Sequence, residues 1–548
     1  MAHHTDDNVV NVPTMAEEDT QHAIEVLHSQ EKKINCSKRL VIYCFAMGFG
    51  SMSFGFGSAI IATTLGQPSF IEYMNLGPDN PDASHILGAI NSLFYAGGFF
   101  GCIFASWSND RLGRKPTIII AAILMIISGA LCAGSVKVGM FMVFRFFLMI
   151  WPIILTIITY SGLMFLITVP LWITEVAPPH GRGVLAEIHA WMAVLSYLIA
   201  AYTGIGFFYY RSTSHAEWRA PLAFVVLWPL LTLIFTPFLP ESPRWLLMNG
   251  RSEEAFCIVQ RLHRNESDIE TEFVLAEFQI MRSQVEFDAS LDSSWRILFT
   301  RPSYRRRLLL SASVLFILYS TGTQVITNYA PSIYAGLNFS AGTSLQFSGG
   351  QILVALLAIS ISMLFVEKVP RNWMLGGGTM ATAIPLAIET VITAKYVGST
   401  NTAGLAAGVA FIYMYTFVYT IFLDGPGYFY ASELFPTHLR AKGSTVCMAC
   451  YCLTNILWTQ VAPTAFRNIQ WRFYIVFIVN AIVFSICQIL FYPNTLNKPL
   501  EEVAEMFGDH DLVGLYRGIQ AERPSIDEKL HPTSDIGNPQ ESMVESTK

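Results

Sequence analysis

The sequence predicts an all-α membrane protein with twelve transmembrane helices arranged as two six-helix bundles. Three observations carry this expectation. The composition is too apolar for a water-facing surface, apolar segments of membrane-crossing length recur along the 548 residues, and part of the pattern repeats in the second half. Apolar residues make up 53% of the chain and charged residues only 14%, whereas about a quarter of a soluble domain is charged.

Crossing the hydrocarbon core takes about 20 apolar residues in a helix. Segments of that kind fall at 40–63, 86–107, 117–134, 140–173, 184–208, 219–238, 306–333, 347–366, 373–394, 405–430, 441–463 and 472–492. Six precede and six follow a charged loop at 239–305. The division is therefore a cytosolic tail at 1–38, a bundle at 39–238, a linker at 239–305, a second bundle at 306–492 and a cytosolic tail at 493–548. The first tail is polar and acidic, unlike a signal peptide.

Basic residues set the orientation. Arg111, Arg114, Lys115, Arg182, Arg244, Arg305, Arg306, Arg307, Lys368, Arg371, Arg440 and Lys442 fall on one side if there are twelve spans. The 64–85 loop on the other side carries Glu72, Asp79 and Asp82 and no Lys or Arg. Both termini are therefore expected in the cytosol, with the protein multi-pass in the plasma membrane. The duplication shows in TEVAPPHGRG (174–183) and SELFPTHLRAKG (432–443), which share Glu-x-x-Pro-x-His-x-Arg after spans four and ten. Two related six-helix units place a substrate at their interface.

Other function classes lack their residues. The net charge of −6 is small and no basic domain points to nucleic acid. No nucleophile–base pair, phosphate loop or metal spacing is visible, so no enzyme, catalytic residue, cofactor or metal is expected. Cys447, Cys450 and Cys452 lie in an apolar run without a nearby His and read as buried helix residues.

Several motifs together resemble the sugar porters of the major facilitator superfamily, especially fungal sugar and lactose permease-like members. They are NDRLGRKP (109–116), PLWITEVAPPHGRG (170–183), WRAPLAF (218–224), LPESPRWLL (239–247) followed by NGRSEEAF, SELFPTHLRAKG, and YPNTLNKPLEEVAEMFG (492–508). SFGFGSAIIATTLGQPSFIEY (53–73) resembles the first span and outer loop of fungal members. The resemblance covers residues 40–508 and implies a carrier that works by alternating access.

Physically, the motifs form a cytosolic latch in which carboxylates at helix ends pair with arginines on neighbouring helices and separate on opening. The amino half supplies Arg111, Arg114, Glu175, Arg182, Glu241 and Arg244; the other half supplies Glu367, Arg371, Glu433 and Arg440. One exposed pair contributes about 0–1 kcal/mol, and several together bias a two-state equilibrium.

LYSTGTQVITNYAP (318–331) interrupts an otherwise apolar span with Ser320, Thr321, Thr323, Gln324, Thr327 and Asn328. On one continuous helix these share a face, which is expected to line a water-filled cavity. The resemblance places Leu318 and Tyr319 where sugar porters carry paired glutamines, Gln324 on an asparagine, and Ala190, between His189 and Trp191, on a span-five glutamine. Tyr428 stands near the place of a missing tryptophan. The expected substrate-binding residues are Gln324, Asn328, Tyr319, His189, Trp191, Tyr428, Asn455 and Gln460, with a sugar or related polyhydroxy molecule as substrate. The acid of proton-coupled relatives is replaced by Gly57, so facilitated diffusion is expected. Asp424 beside Gly425-Pro426 is the coupling candidate, and Glu389, the other intramembrane acid, is expected to reach water near the outer end of span nine.

Three finer expectations complete the reading. Val274, Phe278, Met281 and Val285 predict an amphipathic helix over 270–287 lying on the cytosolic face. Arg145 and Pro170 stand 25 residues apart, too far for one straight span; about ten residues around IWPIILTIIT are surplus, either as a bulge or from codons normally spliced out. Asn338-Phe-Ser is a candidate glycosylation site in an outer loop, while Asn35-Cys-Ser and Asn265-Glu-Ser face the cytosol. The alternatives to a sugar carrier are a transporter-like sugar sensor and a proton-coupled carrier of a non-sugar substrate such as quinate.

Overall fold

The computed structural model describes residues 38–77, 79–146, 161–177, 182–210, 215–263, 269–364, 368–396, 401–496, 498 and 500–509. Among these, secondary structure is entirely helical. Among the described residues ten helices are long and apolar enough to cross a membrane, joined by one shorter apolar helix at Gly162–Val176. In hydrocarbon a backbone must satisfy its own N–H and C=O groups, and the α-helix does this within one segment.

In the amino half the long elements are α1 (Lys38–Leu65), α2 (Ala83–Arg111), α3 (Arg114–Ala133), α4 (Val138–Phe146), α5 (Ser161–Val176), α6 (Arg182–Phe208) and α7 (Ala216–Phe238). The expected span at 140–173 is represented by α4 and α5, and the surplus around 150–159 lies outside the described residues. α1 and α6 pack closely because small residues meet at the contact: a Cβ on Gly55 would stand 2.5 Å from the Ala193 carbonyl oxygen, and one on Gly204 would meet Thr63. Large apolar side chains such as Ile103, Leu230, Leu357 and Val391 are exposed, as lipid contact demands.

The described part of the linker is largely helical. Helix α8 (Ile269–Ser290) includes the expected amphipathic segment and buries Val274, Phe278, Met281 and Val285. Val274, Phe278 and Met281 pack on Trp245, Leu246, Ala255 and Val259 from the short helices Pro243–Met248 and Ser252–His263.

The seventh expected span departs from a single helix. It consists of α9 (Pro302–Ser320), α10 (Thr323–Asn328) and α11 (Ala330–Gly336). The first break falls at Gly322, whose φ of 94° no L side chain adopts without strain, and a Cβ there would stand 2.6 Å from the Phe477 ring. Downstream lie α12 (Ala341–Ser362), α13 (Arg371–Tyr396), α14 (Thr402–Glu433), α15 (Thr437–Asn468) and α16 (Phe473–Phe491). Within α14 a π-helical turn at Thr420–Asp424 leads directly into Gly425–Glu433, so Gly425-Pro426 bulges this helix and does not end it. Residues 497–548 form a separate unit, in which Leu500–Met506 is helical.

Gly322→Ala should lower stability by about 1–3 kcal/mol, since it forces a side chain into the left-handed region against Phe477. Thermal unfolding of the purified protein, followed by its tryptophan fluorescence, measures this; an unchanged midpoint would mean that the break is not required.

Candidate functional site

Where the chain breaks at Gly322, its polar residues part company. Ser320 Oγ accepts a hydrogen bond from Trp458 Nε1 (3.1 Å), and the Ser320 carbonyl accepts one from Asn480 (3.4 Å). Thr321 donates to the Leu318 carbonyl and accepts from the Tyr415 hydroxyl. These two therefore anchor α9 within the carboxy half. Beyond the break, Gln324 Nε2 donates to the Tyr95 hydroxyl of α2 at 2.5 Å, and the buried Asn328 and Ser58 face the same hydroxyl. The expected single polar stripe is thus split in two, because a left-handed residue rotates everything after it relative to everything before.

Tyr95 is the centre of this contact, and it was not among the expected residues. Tyr451 packs edge-on to Tyr95 at 5.9 Å and to Tyr319 at 4.6 Å. The Tyr319 and Tyr428 hydroxyls hydrogen-bond each other. Asp424 lies within electrostatic range of Tyr197, Tyr319, Tyr419 and Tyr428. Gln324, Asn328, Tyr319 and Tyr428 are therefore gathered around a belt of tyrosines contributed by both halves. The only sequence signal for Tyr95 is a polar-tipped aromatic among the glycines of FYAGG (94–98).

The remaining expected binders are placed elsewhere. His189 shares a 2.6 Å hydrogen bond with Ser51, buried between α6 and α1. Asn455 is fully buried and donates to the Tyr451 carbonyl of its own helix. Trp191 donates to Ser360 across α6 and α12 at 3.3 Å. Gln460 accepts from Ser92 (2.6 Å) and donates to the His85 carbonyl (3.3 Å). One expectation is corrected: Glu389 is 1% exposed and accepts from Thr393, so it does not reach water. Glu187, another buried acid in α6, belongs beside Asp424 and Glu389 among the intramembrane carboxylates.

Further hydrogen bonds join the halves at the end where α2 begins and α15 finishes. Tyr329 donates across to the Leu87 carbonyl (3.4 Å) as well as to the Thr459 carbonyl of its own half (2.9 Å), Arg467 donates to the Pro81 carbonyl, and Gln346 donates to Tyr209. A Cβ on Gly88 would stand 2.6 Å from the Gln460 carbonyl oxygen, a measure of how closely α2 and α15 approach there.

At the opposite ends of these helices lie the ion pairs. Arg114 grips Glu175 with both arms of its fork, Nε to Oε2 at 2.8 Å and Nη2 to Oε1 at 2.6 Å, and its Nη1 donates to the Asn109 carbonyl. Glu241 accepts from the backbone N–H groups of Arg114, Lys115 and Ser242. This is possible because Gly113, at φ 99°, turns the chain without a side chain; a Cβ there would meet the Glu241 carboxylate at 2.8 Å. Burial pushes the Glu241 carboxyl upward, and those N–H donors pull it back. In the carboxy half Arg371 Nη2 donates to Glu433 at 3.2 Å, while Thr495 donates to the other Glu433 oxygen.

Both pairs join helices of the same half. Arg244 donates to Gln284 of the linker and, with Arg440, lies near Asp288 of α8. Arg111 is exposed. Glu367 and the Arg182 side chain lie outside the described residues.

A family model described as sugar (and other) transporter matches residues 43–507. The chain belongs to this family. The MFS-type transporter criB of Aspergillus cristatus is 28% identical over 478 residues, covering 86% of this chain and 95% of the relative. A quinate permease of Neurospora africana is 26% identical over 522 residues, covering 89% and 94%. In fold, the chain is similar to the proton:xylose symporter XylE bound to 6-bromo-6-deoxy-D-glucose. The TM-score is 0.71 at 20% identity, covering 86% of this chain and all of that one. Like other members of the major facilitator superfamily, this transporter is a multi-pass membrane protein.

Two outcomes follow for the charged end. Glu175→Gln leaves a buried arginine without its counter-charge and should cost about 3–5 kcal/mol, whereas Glu433→Gln, at a more exposed pair, should cost less; thermal unfolding of the two variants ranks them. Asp288 is pushed up by burial from 3.8 to about 6, against the pull of Arg244 and Arg440. Its folded value is the higher, so folding takes up a proton between about pH 4 and 6 and this group's contribution to stability falls as pH rises through that window. Asp288→Asn should flatten that slope in denaturation midpoints collected from pH 4 to 7.

Proposed function

We propose that this transporter carries a sugar or related polyhydroxy molecule across the plasma membrane by alternating access, as facilitated diffusion. The observation that carries the reading is the Tyr95–Gln324 contact between the halves, ringed by Asn328, Tyr319, Tyr428 and Tyr451. Amides and phenols that bond one another can exchange those bonds for the hydroxyls of a substrate, and the aromatic faces suit the apolar face of a ring. Membership of the family and the named transport functions of its relatives support the same reading.

The proposal includes twelve spans in two six-helix bundles, 39–238 and 306–492, with both tails and the 239–305 linker in the cytosol. Its place among fungal sugar and lactose permease-like members belongs to the same proposal. The latch residues then sit at the cytosolic mouth. Arg114–Glu175 and Arg371–Glu433 keep each half rigid, while single hydrogen bonds, neutral at Gln460, Tyr329 and Gln346 and from a charged donor to a carbonyl at Arg467, form the seam that parts at the outer mouth. His189, Trp191, Asn455 and Gln460 support the path through packing and the seam. A second reading, proton coupling through Asp424, is favoured by the π turn that holds this acid beside four tyrosines.

Uptake by yeast cells stripped of their own hexose carriers tests both. Labelled glucose, galactose, xylose, lactose and quinate are supplied with and without a protonophore. Saturable uptake that ignores the protonophore is expected, and Gln324→Ala should weaken apparent affinity about tenfold with unchanged surface expression. Uptake abolished both by the protonophore and by Asp424→Asn would replace facilitated diffusion with coupling. No uptake by a surface-located protein would leave the sensor reading.

A further inference from the structure

One buried cation stands apart from the arginines of the latch. Arg145, in the last turn of α4, is 8% exposed, and its Nε has no hydrogen-bond partner among the described residues. Its guanidinium lies over the Phe94 ring, 5.3 Å from the centroid. The groups within electrostatic range are Cys132 of α3, Tyr95 of α2 and Tyr329 at the junction of α10 and α11. A thiol and two phenols are uncharged at neutral pH. Arg114 has Glu175 and Arg371 has Glu433, but no carboxylate among the described residues faces Arg145.

A buried arginine without a counter-charge is unfavourable unless an anion joins it. Its position says which anion. Tyr95, one of its neighbours, accepts the Gln324 amide, and Tyr329, another, donates across the halves to the Leu87 carbonyl (3.4 Å). The cation therefore borders the contact at which the proposed substrate would bind. Phe94 covers one face of the guanidinium and leaves the edge, whose parallel N–H groups match the two oxygens of a carboxylate.

Resting on the carrier reading above, we propose that Arg145 binds the carboxylate of an anionic substrate, so that the transported molecule is a polyhydroxy carboxylic acid. Gln324 and Asn328 take its hydroxyls. A single cation suits one negative charge, and the neutral surroundings would favour an acid over an uncharged polyol of the same shape.

Matched pairs test this in the same yeast cells: gluconate against glucitol, galacturonate against galactose, and quinate against inositol. Uptake of at least one acid should exceed that of its neutral partner about tenfold or more, the range a charge-assisted hydrogen bond commands. Arg145→Gln should abolish that preference at normal surface expression, and Arg145→Lys, which keeps the charge but loses the fork, should weaken it. If Arg145→Gln fails to reach the surface, the acid-to-neutral ratio of Arg145→Lys decides: a lowered ratio supports the assignment and an unchanged one overturns it. Neutral partners carried as well as the acids, with a ratio indifferent to Arg145, would overturn the anion site and leave the carrier reading standing. No uptake of any of the six by surface-located wild type would overturn the anion site, and absence of glucose, xylose and lactose uptake as well would overturn the carrier reading with it.

Discussion

A polar group taken into hydrocarbon has to find a partner there, and the arrangement of this chain follows from that constraint. Helices satisfy the backbone; side chains must be satisfied by one another. Serines and threonines turn back onto their own helix, as Thr63 and Thr64 do on Ile60, and Thr379 on Leu375. The longer groups reach further. Gln67 donates to the Gly204 carbonyl, Gln351 links Tyr334 to Thr416, and Gln324 finds Tyr95. Contacts of this last type hold the sequence halves together.

The two classes of polar contact differ in strength, and the difference suits a protein that alternates. Contacts within a half include bidentate charge-assisted pairs such as Arg114–Glu175, which resist separation. Contacts between the halves are mostly neutral hydrogen bonds to carbonyls and hydroxyls, each of about 0.5–1.5 kcal/mol net. Rigid units joined by a weak seam can exchange one set of contacts for another at modest cost. The π turn in α14 and the break between α9 and α10 fall in the carboxy half, at the residues that meet this seam.

Charge inside the apolar region follows the same logic with higher stakes. Glu175 and Arg114 neutralise each other. Glu389 is held by Thr393 between α13 and α14, where a Cβ on Gly408 would stand 3.2 Å from its carboxylate, so close packing depends on that glycine. Arg145 has only aromatic and neutral neighbours among the described residues, which is why it stands out as a place for a substrate's charge.

Much of this was legible in the residues alone. Hydropathy marks the spans because the bilayer has one thickness and the helix one rise per residue. The motif residues Arg114, Glu175, Glu241, Arg371 and Glu433 could be picked out because helix ends with charge beside lipid are seldom idle. The amphipathic linker helix was visible in the spacing of Val274, Phe278 and Met281. The tertiary structure alone decided where the polar residues point. Periodicity assumes one continuous helix, and the positive φ of Gly322 ends that assumption within LYSTGTQVITNYAP, sending Ser320 and Thr321 to one neighbourhood and Gln324 and Asn328 to another. It also decided that His189 meets Ser51, that Asn455 bonds to the Tyr451 carbonyl of its own helix, that Glu389 is buried, and that Tyr95 meets Gln324. A partner 229 positions away in the chain leaves no mark on local spacing, because hydrogen bonds are set by distance in space and sequence records only distance along the chain.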